Sequence, residues 1–127
     1  FALRRVAVRD VVVLDQAPPG GAGIWRRFAR MHTLRTPKHV TGPELGFAAL
    51  SVRAWYEARF GEAAWAALGK IGREAWDDYL RWLAAQLGQE VAHGWRVTRL
   101  APRDAQVLAL EAEDASGTRR RVLARHV

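Results

Sequence analysis

The chain contains no cysteine, and this absence excludes two kinds of site. Neither a disulfide framework nor a cysteine-zinc centre is available to it. Its four histidines are scattered without the spacing of metal ligands, so the sequence predicts no metal site. Proteins without disulfides are typical of a reducing compartment, and we therefore expect this one to be cytoplasmic.

The short signatures of common catalytic sites are also missing. The chain has no GxSxG, HExxH, Walker A or EF-hand pattern, and no pair of carboxylates that suggests a catalytic geometry. The sequence therefore assigns no catalytic residue. Because no side chain here transfers electrons by itself, any redox activity would belong to a cofactor that the protein positions.

Long apolar runs are absent as well. No stretch approaches the roughly 20 apolar residues that a membrane-spanning helix needs, so we expect no membrane partner. Of the 127 residues 50% are hydrophobic and 26% are charged, which is typical of a globular domain. The chain begins with Phe1 and its only methionine is Met31, so we expect it to be processed, truncated or part of a longer gene product.

Lysine is scarce, although the chain is basic. The net charge is +7, and only Lys38 and Lys70 among the 20 basic residues are lysine. Arginine favours bidentate recognition of phosphate and carboxylate groups, so the charge suits a polyanion or a cofactor that bears phosphates. An arginine-rich proteome explains the same composition, and the sequence leaves both explanations open.

One short apolar run ends in a carboxylate. The residues Val11–Leu14 are all apolar, Asp15 follows them, and a loop rich in proline and glycine comes next. The pattern predicts a strand that is buried on both faces of a parallel sheet. Asp15 would lie at its carboxyl end, where dinucleotide folds place the acid that binds a ribose hydroxyl. A core strand with a solvated acidic end is the alternative.

Two segments after this strand have a composition suited to ligands. The glycines of Pro18–Gly23 allow backbone N–H groups to approach a ligand, although an ordinary flexible connection has the same composition. Trp25–Lys38 interleaves aromatic residues with arginines, a composition that binds bases and phosphates. The alternative is an irregular amphipathic segment whose aromatic side chains enter the core while its arginines stay solvated.

The middle of the chain predicts three helices. Ser51 is a suitable N-cap for a helix through Phe60, a shorter helix follows over residues 62–68, and the clearest helix covers Gly72–Leu87. On this last helix, Asp77 and Asp78 are expected to pair with Arg81 on the outer side.

After Val91 the periodicity changes to that of strands. Residues 91–100 surround a turn at His93-Gly94, Gln106–Glu113 alternates between two faces, and residues 118–127 supply a further strand. The expected product is an antiparallel hairpin or meander. The arginines at 119–121 are expected to be a solvated edge, because edge strands carry charge that discourages pairing.

The order of these pieces resembles the FAD-binding part of flavin-dependent monooxygenases, in particular FAD/NAD(P)-binding oxidoreductases related to the N-hydroxylating and Baeyer–Villiger types. The resemblance spans nearly the whole chain and rests on the segments Asp10–Gln16, Gly20–Trp25, Met31–Lys38 and Trp76–Trp82. It implies an α/β fold, namely a partial Rossmann-like FAD-binding domain with a helical insertion and a C-terminal antiparallel β-hairpin or meander.

The resemblance also implies an organisation of the chain as one partial domain over residues 1–127. Residues 1–25 would hold the second-strand region and the Gly-rich loop, 26–90 the loop and helical insertion, and 91–127 the β-hairpin region.

A function and a set of cofactor contacts are implied as well. FAD would be the cofactor and NAD(P)H the reductant of an oxidoreductase, a monooxygenase that acts on a small organic substrate. Asp15 would bind the ribose of the FAD adenosine. A residue at the end of a later strand would hold the adenine through its backbone, and Val97 is the nearest match. The expected contacts with the cofactor are Asp15, Gln16, Gly21, Gly23, Trp25, Met31, His32, Arg35 and Val97. Of these, Met31, His32 and Arg35 would lie near the isoalloxazine ring or the substrate.

The chain departs from the family's pattern at its start. The family's glycine fingerprint lies roughly twenty residues ahead of the acid, before Phe1, and Ala7 stands where such proteins often have glycine. We therefore expect an internal fragment that binds FAD weakly or not at all by itself, because the helix N-terminus that holds the phosphates is missing.

Two other functions remain open at this point. One is a basic module that binds nucleic acid through Trp25–Lys38, although the chain has no helix-turn-helix or RNA-recognition pattern. The other is an inactive structural remnant. The sequence gives no oligomeric state, no identity for the substrate and no preference between NADH and NADPH.

Overall fold

The computed structural model describes residues 2–8, 10–20, 23–40, 42–88 and 90–127. These residues form two compact units. The helical unit comprises the described residues of 1–8 and 23–89, and the sheet unit comprises those of 9–22 and 90–127.

The helices belong to the helical unit. In chain order they are α1 (Ala2–Arg5), a 3₁₀ turn (Ala48–Leu50), α2 (Val52–Phe60), α3 (Glu62–Ala67) and α4 (Arg73–Leu87). The three helices expected from the sequence are thus confirmed as α2, α3 and α4, with ends that differ from the expected ones by at most one residue.

Local chemistry explains where these helices begin and end. The Ser51 hydroxyl accepts a hydrogen bond from the backbone N–H of Ala54 at 3.1 Å, which satisfies one of the free donors at the start of α2. Gly61 and Gly88 end α2 and α4 with φ angles of 89° and 56°, a backbone region that glycine enters without steric cost.

Ala7 has a backbone conformation that favours glycine. Ala7, shortly after α1, has a φ of 64°. The left-handed region costs a residue with a side chain about 1–2 kcal/mol. A glycine at this position would relieve the strain, because glycine adopts this backbone conformation without steric cost.

Aromatic side chains dominate the core of the helical unit. Tyr79 has no exposed surface, and it packs against Trp55 and Trp76 with ring centroids 5.9 and 5.2 Å apart. The buried hydrophobic residues of this core are Leu34, Val52, Trp55, Trp65, Ile71, Tyr79 and Leu83. Each large apolar side chain removed from water contributes about 1.5–3 kcal/mol, so these residues fix α4 against α2, α3 and the preceding loop.

The sheet unit contains two small sheets. Strands β1 (Leu14–Asp15) and β2 (Ala92–His93) pair in parallel, and β3 (Arg96–Pro102), β4 (Leu108–Glu113) and β5 (Arg119–Ala124) form an antiparallel meander in the order β3-β4-β5. The expected mixed α/β class and C-terminal antiparallel meander are confirmed. The arginines of β5 lie exposed on an edge strand, also as expected.

The first strand is shorter and less buried than the sequence predicts. Only Leu14 and Asp15 are in strand conformation, and the side chains of Val11 and Val12 are 37% and 54% exposed. The physical reason is the partner, because β2 is only two residues long and the ladder begins where the N–H of Ala92 binds the carbonyl of Val13 at 2.9 Å. The expectation of a strand buried on both faces over Val11–Leu14 is therefore wrong.

Candidate functional site

The sheet unit places Asp15 where two parallel strands end together. Asp15 is the last residue of β1, and its partner in the ladder, His93, is the last residue of β2. The carbonyl of Asp15 also accepts a hydrogen bond from the N–H of Trp95 at 3.0 Å. Ligands of open α/β sheets bind at the carboxyl ends of the strands, so the position suits a binding residue.

Within the part of the chain that the structure describes, one of the two oxygens of the Asp15 carboxylate accepts a hydrogen bond. Oδ1 accepts a hydrogen bond from the N–H of Ala17 at 2.8 Å, an Asx turn that fixes the orientation of the side chain. Among the described residues no hydrogen bond to Oδ2 is present. A fixed carboxylate with one available acceptor fits a ligand that offers a hydroxyl group, such as a ribose.

The neighbours of Asp15 include a residue that sequence reasoning did not place in the site. Nδ1 of His93 lies 3.2 Å from the carbonyl oxygen of Ala17. The N–H of the same Ala17 donates to the Asp15 carboxylate. The sequence placed His93 in a turn and gave no sign of the parallel pairing that brings it beside the acid. Gln16 is exposed next to Asp15.

Val97 lies inside an antiparallel strand and not at the end of a strand. It is the second residue of β3, opposite Ala112, and its side chain is 47% exposed. The reason is Gly94, whose φ of 79° turns the chain after β2, so that the parallel strand ends at His93. The strand-end position next to Asp15 therefore belongs to His93.

The Gly-rich loop is described only in part. Gly21 lies outside the described residues. Gly23 has a φ of 86°, and a Cβ added there would meet Trp25 Cδ1 at 3.8 Å, an ordinary contact. The backbone conformation, and not a lack of space, therefore favours glycine at this position.

In the helical unit, the segment after Gly23 is fixed along the first half of α4. Trp25 packs its ring edge-on against Trp76, with centroids 6.3 Å apart. Arg26 donates from Nε to Asp77 Oδ2 at 2.6 Å and from Nη2 to Asp78 Oδ1 at 2.7 Å. Two neighbouring residues of the segment thus bind consecutive residues of α4.

Asp77 is buried, which corrects its expected position on the outer side of α4. It is 4% exposed and accepts hydrogen bonds from both Arg26 and Arg81, the latter at 3.0 Å. The pairing with Arg81 is confirmed, and the partner that sequence reasoning missed is Arg26. The hydrogen bond to Asp77 is the main cause that raises the pKa of Arg26 above its ordinary value.

Backbone hydrogen bonds continue this attachment further along the segment. Arg73 donates from Nη1 to the carbonyl of Ala29 at 2.6 Å, and its N–H binds the carbonyl of His32 at 3.0 Å. The N–H of Leu34 donates to the carbonyl of Ile71 at 2.8 Å. The backbone from Trp25 to Leu34 is therefore held at several points.

The candidate side chains of this segment remain accessible. Met31 is 39% exposed, and His32 and Arg35 are also exposed. A backbone held against a helix, with its side chains free, is suited to presenting groups to a ligand.

A second buried polar group lies on the same helix. Tyr79 donates its hydroxyl to the carbonyl of Leu50 at 2.9 Å. Burial, and then the negative charge of Glu44, raise the pKa of Tyr79. Glu44 is itself 5% exposed and accepts from the N–H of Gly42 at 3.1 Å. These contacts are part of the core and were not foreseen from the sequence.

Two basic side chains of Trp25–Lys38 already have partners within the protein. Arg26 is bound to acidic residues, and Lys38 donates to the carbonyl of Trp65 at 2.6 Å. The guanidinium of Arg27 lies 5.6 Å from the ring centre of Phe28, a side chain that is 69% exposed. Arg26 and Lys38 therefore already have partners within the protein, which leaves them less available to a nucleic acid.

The described residues contain neither a membrane-spanning helix nor a cluster of metal ligands. None of their helices combines the length and apolar character needed to cross a membrane. Within the same residues, no group of three or more His, Cys, Asp and Glu side chains is arranged to hold a metal ion.

Comparison with known proteins relates this sequence to a family. A family model described as L-lysine 6-monooxygenase/L-ornithine 5-monooxygenase matches residues 57–127. An FAD-dependent urate hydroxylase of Xanthomonas campestris pv. campestris is 49% identical over 102 residues, which make up 80% of this chain and 22% of that protein. The chain therefore spans about a fifth of the length of this curated relative.

Solved structures share the fold at lower identity. The ornithine hydroxylase PvdA of Pseudomonas aeruginosa is similar with a TM-score of 0.73 at 16% identity, over 95% of this chain and 31% of that one. The cadaverine monooxygenase DfoA of Erwinia amylovora, solved with FAD bound, gives 0.68 at 20% identity, over 90% and 28%. The lysine monooxygenase NbtG of Nocardia farcinica gives 0.67 at 19% identity, over 94% and 35%.

The resemblance to flavin-dependent monooxygenases that the order of sequence segments indicated is confirmed by these matches. Because the family model covers more than half of the residues, the chain belongs to the L-lysine 6-monooxygenase/L-ornithine 5-monooxygenase family.

Proposed function

We propose that this chain forms part of the FAD-binding region of an FAD-dependent, NAD(P)H-using monooxygenase. The observation that carries the proposal is the Asp15 carboxylate, which stands at the shared end of two parallel strands with Oδ2 available to a ligand hydroxyl. Membership of the family and the 49% identity to an FAD-dependent hydroxylase support it.

The proposed organisation follows the sequence. Residues 1–25 supply the second-strand region and the Gly-rich loop, 26–90 the loop and helical insertion, and 91–127 the β-hairpin region of one FAD-binding domain. We propose that the protein works in the cytoplasm on a small molecule. Asp15 binds the ribose, and the further cofactor contacts come from Gln16, Gly21, Gly23, Trp25, Met31, His32, Arg35 and Val97.

Each group has a limited task in this proposal. FAD supplies the redox chemistry, which no side chain of the chain can supply. Asp15 accepts hydrogen bonds from the ribose and so fixes the adenosine half of the cofactor. Trp25 is held by Trp76 and by the neighbouring Arg26, and this support reduces the freedom lost when a ligand binds.

Urate is the first substrate to test. The urate hydroxylase relative is 49% identical, whereas the ornithine, cadaverine and lysine enzymes with solved structures are 16–20% identical. A small molecule that carries ring N–H groups is therefore a better first candidate than a free amino acid or diamine.

The function is tested with the chain expressed together with its natural flanking sequence. FAD is added, and NADH or NADPH oxidation and oxygen uptake are followed with urate, ornithine, lysine and cadaverine in turn. We expect one of these substrates to stimulate both rates and to yield a hydroxylated product. A folded, FAD-loaded protein that oxidises neither nicotinamide cofactor would contradict the proposal.

A further inference from the structure

The antiparallel meander of the sheet unit carries two rows of alternating charge on one face. In each row an arginine of β3 and an arginine of β5 lie on either side of a glutamate of β4. The rows are Arg96–Glu113–Arg119 and Arg99–Glu111–Arg121. Directly paired residues share a face, and the two glutamates are two positions apart, so both rows point to the same side.

The balance of charge on this face is positive. Four arginines surround two carboxylates, and the carboxylate of Glu113 is shared between Arg96 and Arg119 at 3.5 and 3.7 Å. Arg99 and Arg121 lie on either side of Glu111, and among the described residues no ion pair joins either guanidinium to a carboxylate. These two arginines therefore keep their donors for another partner.

An open groove of about 530 Å³ lies at these side chains. Its lining consists of Thr98, Arg99, Glu111, Ala112, Glu113, Arg119, Arg120 and Arg121. A shift of register between Val97 and Arg99 gives β3 an extra residue here, and such bulges redirect side chains. The volume lies within the range of sites that bind small molecules.

We propose that this groove binds a small molecule with two linked phosphate groups. Arg99 and Arg121 lie on the two outer strands of the three-stranded sheet. Neighbouring strands are about 4.8 Å apart, so the backbones of these two arginines are separated by about 10 Å. Each guanidinium offers a planar fork that matches phosphate oxygens. Glu111 lies between them and repels anionic charge at the centre, so a ligand with one anionic group towards each arginine fits better than a single anion.

Pyrophosphate is the probe for this proposal, which does not depend on the proposed function. Isothermal titration calorimetry is performed at constant ionic strength on the chain with its natural flanking sequence. Excess FAD is present throughout, so that phosphate binding at a flavin site does not contribute. The double variant R99A/R121A is expected to weaken binding about tenfold or more, because it removes charged hydrogen bonds.

Two further variants separate the groove from general charge. Arg125→Ala removes the same charge from an exposed residue just beyond β5 that does not line the groove, and it should leave the affinity unchanged. Glu111→Gln removes the central carboxylate and should tighten binding several-fold. If R99A/R121A does not fold, the tighter pyrophosphate binding of Glu111→Gln still tests the proposal.

Several results would overturn the proposal. These are a wild-type protein that fails to bind millimolar pyrophosphate, equal losses in R99A/R121A and R125A, and a Glu111→Gln variant that binds no tighter than wild type. A groove that takes a single-stranded oligonucleotide but not pyrophosphate would also overturn it, in favour of a nucleic-acid surface.

Discussion

Arg26 and Asp77 lie 51 residues apart in sequence and are joined by a hydrogen bond of 2.6 Å between Nε and Oδ2. The bond fixes the segment that follows the Gly-rich loop to α4. Because Arg81 binds the same buried oxygen, Asp77 is neutralised from two directions. The contact therefore holds Arg26, and with it the adjacent Trp25, against the core of the helical unit.

Loss of the Asp77 carboxylate should cost more stability than loss of its neighbour. We expect Asp77→Ala to lower the free energy of unfolding by about 1–3 kcal/mol, because two guanidiniums lose a charged acceptor. Asp78→Ala is the matched control. Its side chain is 45% exposed and, among the described residues, forms its ion pair with Arg26, so Asp78→Ala should cost less than about 1 kcal/mol.

Denaturant unfolding of the chain with its natural flanking sequence measures both changes. Equal losses in the two variants would show that the buried position of Asp77 has no energetic consequence. Adding Arg26→Ala to each variant tests the pairing itself. The cost of Asp77→Ala should be smaller in the Arg26→Ala background than in wild type.

Tyr79 should make the protein sensitive to alkali. Burial, and second the charge of Glu44, raise its pKa above the ordinary value of 10.0. Because its pKa is higher in the folded state, protonated Tyr79 contributes to the free energy of unfolding. This contribution is complete below pH 10.0 and is lost as the pH rises from there through the pKa of the folded state. We therefore expect the free energy of unfolding to fall above pH 10.0, and to fall less steeply in Tyr79→Phe.

Unfolding curves between pH 8 and 11 would measure this dependence. Tyr56→Phe is the control, because Tyr56 is only partly buried and the variant leaves Tyr79 in place. At neutral pH, Tyr79→Phe should cost about 1 kcal/mol through the lost bond to the Leu50 carbonyl. An alkaline loss identical in wild type and Tyr79→Phe would refute the assignment.

The helices were predictable from sequence because their signals are local. The Ser51 hydroxyl and the glycines at 61 and 88 act within one turn of the helix ends that they define. The meander was predictable for the same reason, since alternation and the turn at 114–117 involve neighbouring residues. Asp114 Oδ1, for example, accepts from the N–H groups of Ser116 and Thr118, both at 2.9 Å.

The site was less predictable because its contacts are distant in sequence. The position of Asp15 as the last residue of a strand was foreseen, but its pairing with His93 depends on a strand about 80 residues away that has only two residues. Likewise, nothing near Asp77 indicates that Arg26 reaches it. The apolar run at Val11–Leu14 failed as a sign of burial because its partner strand is too short to continue the ladder.

The acid at the end of β1 should matter more for FAD binding than for folding. We expect Asp15→Ala to weaken FAD binding about tenfold to a hundredfold, the effect of losing one or two charged hydrogen bonds to the ribose. Asp10→Ala is the matched control, because the same charge is removed at an exposed residue five positions earlier. Fluorescence titration of FAD measures both, and equal affinities would contradict the role of Asp15.

The most direct test of the central claim is the visible absorption spectrum of the protein, purified with the natural flanking sequence of the chain. We expect a yellow protein with a flavin spectrum, or one that acquires it on addition of FAD, and release of FAD on denaturation. A well-folded, colourless protein that takes up no added FAD would contradict the account.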